Sequence, residues 1–256
     1  MDAGPGQAIW LWLIGSWLAL VLLQPQVHRR LQGVFYQLTG HPAHAILLYS
    51  LALLPGVVLH EASHWLVATG LGVRTSRVSF RPKLQTNGAL RLGYVEMQRV
   101  DFIRESLIGI APLLAGTVVV LVLGMSVLRI GDVGEQLTQG SWRTAGALVM
   151  AAVRRPYAGI WLYLAFAVSN AMFPSPSDRR AWPFVGVALM AVTALLIYLG
   201  LGLRLWGVLV PALTGAAHGL ASAFTFAAAI DLVAFPLLWC GELMLARLRP
   251  LSPFQV

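Results

Sequence analysis

The stretch that decides the fold runs from residue 45 to residue 70 and reads AILLYSLALLPGVVLHEASHWLVATG. It is long and apolar enough for a helix that crosses the roughly 30 Å hydrocarbon layer of a membrane, which takes about 20 residues. It also carries His60, Glu61 and His64 in the order H-E-x-x-H. Ionisable groups inside an apolar span are energetically costly and normally serve a function. This stretch therefore predicts a membrane protein with a polar site inside a helix.

The composition extends the same interpretation to the whole chain. Of 256 residues, 58% are apolar and 11% are charged, and the mean hydropathy is +0.74. Soluble domains average about 25% charged residues, and disordered chains are polar, so both classes are excluded. The single cysteine, Cys240, excludes an internal disulfide framework and a cysteine-based zinc cluster. The net charge of +8 comes from basic residues that separate apolar runs, so we expect a lipid bilayer around the chain and no nucleic-acid partner.

Uncharged apolar runs predict the fold class, an all-α polytopic membrane protein of about six transmembrane helices in a single domain of residues 1–256. The expected spans are 8–25, 45–70, 106–128, 157–173, 183–203 and a stretch within 205–246. A straight helix over the last stretch would be about 63 Å long, so we expect it to bend or break. One span with an interfacial piece and a tight hairpin are both open, and the C-terminal helices together cover 183–248.

Two connections between the spans are long. The first predicts a short membrane-associated β-hairpin at about 73–99, with strands Val73–Arg81 and Ala89–Val95 around the turn Gln85-Thr86-Asn87-Gly88. The second, Arg129–Arg155, predicts a helix at Trp142–Val153 that lies in the membrane interface. With six spans, eleven Lys and Arg residues lie on the hairpin side and seven on the other. This excess predicts a multi-pass protein of the cell membrane with both termini in the cytoplasm.

The spacing of the two histidines predicts a metal site. Residues four apart share one face of a helix, so His60 and His64 can bind one zinc ion. Glu61 lies beside them and can take a proton from a zinc-bound water. In a chain with six histidines and five glutamates, composition alone predicts on the order of 0.003 such motifs, which argues against coincidence. The alternative is a hydrogen-bonded structural cluster.

A catalytic zinc ion needs a third protein ligand. The candidates are Asp178, Asp231, Glu242 and His218. By contrast, His41 and His44 precede the motif by about 24 Å or more of helical rise, which argues against them. Asp178 follows a proline-rich turn at the end of the fourth span, and irregular backbone at membrane depth is tolerated where it lines a site. It could equally be a solvated loop acid that pairs with Arg179 or Arg180, so spacing leaves the third ligand open.

These motifs together resemble the site-2 protease family of intramembrane zinc metalloproteases. That family has H-E-x-x-H in a span and, late in its core, N-x-x-P-x-x-P-x-D-G. Here Asn170, Pro176 and Asp178 match the second motif, whereas Pro174 is one position late and Arg179 replaces the glycine. The segment 109–112 also resembles the family's A-G-P segment. The resemblance covers about residues 45–180 and describes a compact member without a PDZ or other regulatory domain.

The resemblance implies a function and a set of site residues. It implies a zinc-dependent endopeptidase that cleaves within or near the transmembrane helix of a membrane protein, with Zn²⁺ as cofactor. Asp178 would be the third zinc ligand beside His60 and His64, Glu61 the general base, and Asn170 a catalytic residue near the reaction centre. Through its amide, Asn170 could stabilise the oxyanion, although an interhelical hydrogen bond is the alternative role. We expect the site in the cytoplasmic leaflet.

We further expect the hairpin to hold the substrate. An exposed strand edge has unpaired amides and carbonyls that are expensive in lipid, and an unwound substrate has the same deficit. Strand addition would satisfy both, with Gly93, Tyr94 and Val95 as substrate-binding residues. The alternative is a hairpin packed on the cytoplasmic surface and anchored to lipid headgroups by its arginines.

Two rival functions are open at this stage. A metal-ion or proton-coupled transporter would also bury His, Glu and Asp in spans. A membrane scaffold without catalytic activity is the other, but the intact set of His60, Glu61 and His64 argues against it. The sequence identifies neither the substrate nor the oligomeric state.

Overall fold

The computed structural model describes residues 5–84, 90–127, 129–200 and 202–248, and these form a mainly helical bundle with a small sheet. The helices are α1 Pro5–Thr39, α2 Pro42–Ala52, α3 Leu54–Gly70, α4 Phe102–Val122, α5 Ile130–Thr138, α6 Trp142–Val153, α7 Ala158–Ser169, α8 Trp182–Tyr198 and α9 Gly202–Leu248. A π-helical turn, Leu123–Val127, continues α4. The strands are β1 Thr75–Ser79, β2 Lys83–Leu84, β3 Leu90–Arg91 and β4 Tyr94–Met97.

Within the described ranges, three helices are long and apolar enough to cross a membrane. They are α1, α4 with its π-helical turn, and α9; α2 and α3 make a fourth if the bent pair is one span. This identifies a membrane-type helical protein but does not confirm six spans. The runs 157–173 and 183–203, both expected to cross, form helices of only 12 and 17 residues. A helix of 12 residues is about 18 Å long, too short for the hydrocarbon layer.

The expected span 45–70 is not one straight helix. It divides into α2 and α3, whose axes differ by 67° at a break beside Leu53. Pro55 lies in the first turn of α3, where a missing N–H is tolerated but where the ring prevents a regular helix from continuing through it. The break starts a new helix two turns before the histidines.

The longest helix, α9, has 47 residues and continues through Pro211 and Pro236. Of the two outcomes that we expected, a bend or a break, the break is therefore absent, and the tight-hairpin alternative is excluded. At 1.5 Å per residue the helix is about 70 Å long. Packing against α1 supports it, since the two helices contact each other along much of their length.

Helices α1 and α9 run in the same direction. Near the start of α1, the Trp12 indole donates a hydrogen bond of 2.8 Å to Thr225. Near its end, Arg30 forms an ion pair of 3.0 Å with Glu242. The core between these contacts joins α1, α4, α7 and α9. Its members are buried apolar side chains, Leu20, Val120, Val168, Met172, Ala223, Phe224 and Ala227.

The β-hairpin between α3 and α4 is confirmed in the described residues. Strand β1 pairs antiparallel with β4, and β2 pairs antiparallel with β3. The expected second strand is interrupted at 92–93, and its pairing continues to Met97. The predicted turn Gln85–Gly88 lies outside the described residues. Leu90 and Leu92 pack against a buried cluster that includes Leu53 and Val57, so the hairpin returns along the side of α3.

The predicted helix Trp142–Val153 is confirmed with the same bounds, as α6. Asp101 caps α4 by accepting hydrogen bonds from the backbone N–H groups of Ile103 and Arg104, at 3.1 and 3.0 Å. An aspartate is a favoured residue at this position because it satisfies amides that have no partner within the helix. The cap fixes where α4 begins after the hairpin.

Candidate metal centre

His60 and His64 lie one turn apart on α3 and face each other through their Nε2 atoms. The two Nε2 atoms are 3.2 Å apart, and the ring centroids are 4.8 Å apart. His64 is buried and His60 is half-buried. The spacing of four residues thus produces the shared face that the sequence predicts.

Backbone carbonyls from two other elements fix both rings. The Nδ1 atom of His60 lies 2.7 Å from the Ala171 carbonyl, and that of His64 lies 2.8 Å from the Ile108 carbonyl. A carbonyl only accepts hydrogen bonds, so each Nδ1 carries the hydrogen and each Nε2 is left as the free lone pair. This second hydrogen bond is the arrangement that metal-binding histidines normally have.

Asp178 completes a group of three ligands. Its Oδ1 lies 3.4 Å from Nε2 of His64, and its Oδ2 lies 3.7 Å from Nε2 of His60. One ligand atom from each residue lies within 4.8 Å of the others. Ligands about 2.0–2.1 Å from a tetrahedral zinc ion are roughly 3.3 Å apart, so these separations fit a metal ion. The group His60, His64 and Asp178 can therefore hold one.

The segment that carries Asp178 is tied to its place by local hydrogen bonds. The Ser175 backbone N–H donates to Oδ2 of Asp178 at 2.7 Å, so the turn before the acid orients its carboxylate. Burial by itself would raise the pKa of Asp178. The Ser175 N–H and the two imidazoles, when these carry a proton on Nε2 as well as on Nδ1, outweigh that effect and hold this pKa well below its ordinary value. A metal ion bound to the group would take the place of those protons and favour the carboxylate in the same way. The carboxylate is thus ionised, as a metal ligand must be.

Glycines allow the close packing that brings the ligands together. A Cβ atom on Gly109 of α4 would overlap the carbonyl of Asp178, and one on Gly56 of α3 would overlap the carbonyl of Ala167 in α7. Any larger residue would force these backbones apart. Gly109 belongs to the segment 109–112 that resembles the family's A-G-P motif.

Glu61 follows His60 on α3, and its side chain lies against the backbone of the hairpin. Its side chain is 7% exposed. A Cβ atom on Gly93 would lie 2.7 Å from Glu61 Cγ and 3.0 Å from a methyl group of Val57, so the hairpin backbone contacts this acid directly. The structure therefore places Gly93 beside Glu61, and its role in substrate binding stays a prediction.

The other two hairpin residues differ in their surroundings. Val95 is buried and pairs with Val78 across the strands, so its side chain packs within the fold. Tyr94 is half-buried, and the Arg91 guanidinium lies over its ring at 5.1 Å from the centroid. Their roles in substrate binding stay predictions.

Asn170 lies at the end of α7, beside the carbonyl that holds His60. Its Nδ2 donates to the Phe166 carbonyl at 3.1 Å and to Oδ1 of Asp231 at 2.7 Å. Both amide hydrogens are used, so Asn170 would have to release one partner before it could donate to an oxyanion. The interhelical hydrogen bond considered from the sequence is present.

The other candidate ligands lie elsewhere in the fold. Asp231 is fully buried on α9 and bonds to Asn170. Glu242 pairs with Arg30, and the His218 ring lies edge-on to Trp12. Sequence reasoning named Asp231 but missed its partner, because a hydrogen bond between α7 and α9 joins residues 61 positions apart. The sequence signal for this contact was Asp231 itself, because an isolated acid in an apolar run needs a polar partner.

We compared the chain with known proteins. No protein-family model, no curated protein and no solved structure is detectably similar to it. The site and the fold thus define a helical membrane-type protein with a group that can hold a metal ion.

Proposed function

We propose that this protein is an intramembrane zinc endopeptidase of the site-2 protease type. The observation that carries the proposal is the convergence of His60, His64 and Asp178, with Glu61 on the same helix. Two imidazoles and one carboxylate leave a position open on a tetrahedral zinc ion, which is the pattern of catalytic rather than structural sites. The proposed location is the cell membrane, with the site toward the cytoplasmic leaflet.

The proposed chemistry divides between the metal and the chain. Zinc held by His60, His64 and Asp178 would lower the pKa of its water and polarise the scissile carbonyl. Glu61 would take the proton of the attacking water and pass it to the amine nitrogen as the peptide C–N bond breaks. The contact between Gly93 and the Glu61 side chain supports substrate binding along the hairpin, because a strand there would lie beside the base. The substrate would be a transmembrane helix that is locally unwound.

One variant pair tests the proposal. Glu61→Gln keeps the shape of the side chain but removes the base, so we expect cleavage to fall by at least about 10²-fold. Glu135→Gln, the same change on the exposed surface of α5, is the control. The assay is cleavage of a panel of end-tagged single-span proteins in liposomes, with zinc content measured in parallel. Cleavage by Glu61→Gln at the rate of wild type would contradict the protease assignment.

A transporter is the second candidate, and one observation favours it. The Asn170–Asp231 pair is buried between α7 and α9, and buried acids on spanning helices often mark ion pathways. Zinc flux in the same liposomes distinguishes the two functions. Flux by wild type and Glu61→Gln alike, without cleavage of any protein, would favour transport.

A further inference from the structure

A cavity of about 360 Å³ lies between α1, α4, α9 and the connection from α7 to α8. Apolar side chains line most of it, among them Leu13, Leu113, Leu220 and Phe224. The charged side chain at its wall is Arg179. An apolar cavity with a single cation at its wall suits an amphipathic ligand that has an apolar tail and an anionic group.

The surroundings of Arg179 leave its charge available. It is exposed, and within the described ranges no hydrogen bond or ion pair joins it to another side chain. The adjacent Asp178 carboxylate faces the two histidines. Trp17 and Trp182 line the same cavity, and tryptophans favour the level of the lipid headgroups. The cavity therefore combines an apolar interior with a cation and aromatic rings typical of the interface.

We propose that this cavity binds an acyl chain of an anionic phospholipid whose phosphate contacts Arg179. Three long apolar helices put the chain among lipids, and basic pockets between membrane helices are known headgroup sites. A guanidinium presents paired N–H groups that match two phosphate oxygens. The absence of an acidic residue from the cavity's described lining removes the repulsion that an anionic headgroup would otherwise meet.

The site adjoins the metal centre without being part of it. Pro174 and Arg179, which both line the cavity, flank the turn that carries Asp178. A bound phospholipid would therefore contact the segment that positions a metal ligand. The proposal does not depend on proteolysis, since lipid retention is measured without any substrate.

Two adjacent arginines give a matched test of the headgroup contact. Purified protein in detergent is mixed with dioleoylphosphatidylglycerol or dioleoylphosphatidylcholine, and retained lipid is counted by native mass spectrometry. Wild type should retain one phosphatidylglycerol in preference to phosphatidylcholine. Arg179→Gln should bind phosphatidylglycerol about tenfold more weakly, because a hydrogen-bonded charge pair is lost. Arg180→Gln removes the same charge outside the cavity and should bind within about twofold of wild type.

Two adjacent leucines test the cavity itself. Leu113→Phe should fill it and reduce phosphatidylglycerol retention, whereas Leu114→Phe, on the exposed face of α4, should not. Melting temperatures in detergent identify any variant that misfolds, and either pair alone decides the question. Equal loss in Arg179→Gln and Arg180→Gln, equal retention of the two lipids, or no effect of Leu113→Phe would overturn the proposal.

A transmembrane peptide is the competing occupant. The probe is a polyleucine helix with a glutamate at one end, added to vesicles of phosphatidylcholine. If its binding requires Arg179 while phosphatidylglycerol retention does not, the cavity accepts a peptide and the lipid proposal is wrong.

Discussion

At the scale of single residues, the candidate metal centre consists of His60 and His64 on one helix and two backbone carbonyls that hold their rings from distant parts of the chain. The spacing of His60 and His64 fixes their common face through helix geometry alone. The carbonyls that orient them belong to Ile108 and Ala171, which are 44 and 111 positions away in the chain. A local pattern contains no information on such distant partners. Asp178 needed the family resemblance as well, because its spacing from the motif is not set by any helix.

A first prediction tests the ligand group. His64→Ala should lose the metal, since two remaining protein ligands bind zinc poorly. Metal content per chain, measured by mass spectrometry of the purified protein, should fall from about one to near zero. The control is His218→Ala, which removes a histidine that contacts Trp12 and lies outside the group. Full occupancy in His64→Ala would place the metal site elsewhere.

At the scale of elements, the sequence predicts the hairpin but not the contacts that position the hairpin and the helices. The alternation of residues and the N-G turn indicate the hairpin, but its position against α3 depends on side chains that are distant in sequence. The break between α2 and α3 was missed although Pro55 is present, because the apolar run continues through it. In α9 the reverse holds: Pro211 and Pro236 suggested a bend or a break, and the helix, which packs on α1, continues through both prolines without a break.

The contact between hairpin and α3 leads to a second prediction. Gly93→Ala should displace the Glu61 side chain, because the new methyl group would lie 2.7 Å from its Cγ. Cleavage should fall at least about tenfold while metal content stays at the level of wild type. Gly146→Ala, in a helix position with no neighbour within 4 Å, is the control for the same chemical change. Wild-type turnover in Gly93→Ala would mean that the base does not need this contact.

The contact between α4 and the Asp178 segment leads to a third prediction. Here the metal affinity should fall, whereas the second prediction leaves the metal content unchanged. Gly109→Ala should push the Asp178 backbone away and weaken metal binding, because the Cβ atom would overlap the Asp178 carbonyl. Competition with a chelator should show at least about tenfold weaker zinc affinity, the size of effect found when the supports of metal ligands are changed. The prediction fails if Gly109→Ala holds zinc as tightly as Gly146→Ala does.

At the scale of the whole molecule, composition predicted the class better than the number of spans. Large apolar side chains remain exposed along the bundle, and α8 has no buried residue at all. Such a surface is expected in lipid and abnormal in water. Counting spans from apolar runs assumes one crossing for each run. Helices α7 and α8 show why this fails, since an uncharged run can form a helix shorter than the membrane is thick.

A fourth prediction concerns the sides of the membrane. Because α1 and α9 run in the same direction, the segment after α1 and the end of α9 should face the same side. In a Cys240→Ser background, single cysteines at His41 and Arg247 should react with a membrane-impermeant maleimide from the same face of sealed vesicles. The arrangement with six spans puts them on opposite faces, so labelling from opposite faces would contradict the parallel packing.

The parallel contact of α1 and α9 has a consequence for the count of crossings. If α1 and α9 both cross the bilayer, their common direction requires a return passage between them, and the total from α1 to α9 would be odd. Three crossings, with α2 and α3 as a re-entrant pair, satisfy this parity. So do five, if the α2–α3 pair crosses and α7 and α8 together provide one more passage. Four and six do not. The start of α1 and the end of α9 would then face different compartments, contrary to the expectation from the Lys and Arg count that both termini lie in the cytoplasm.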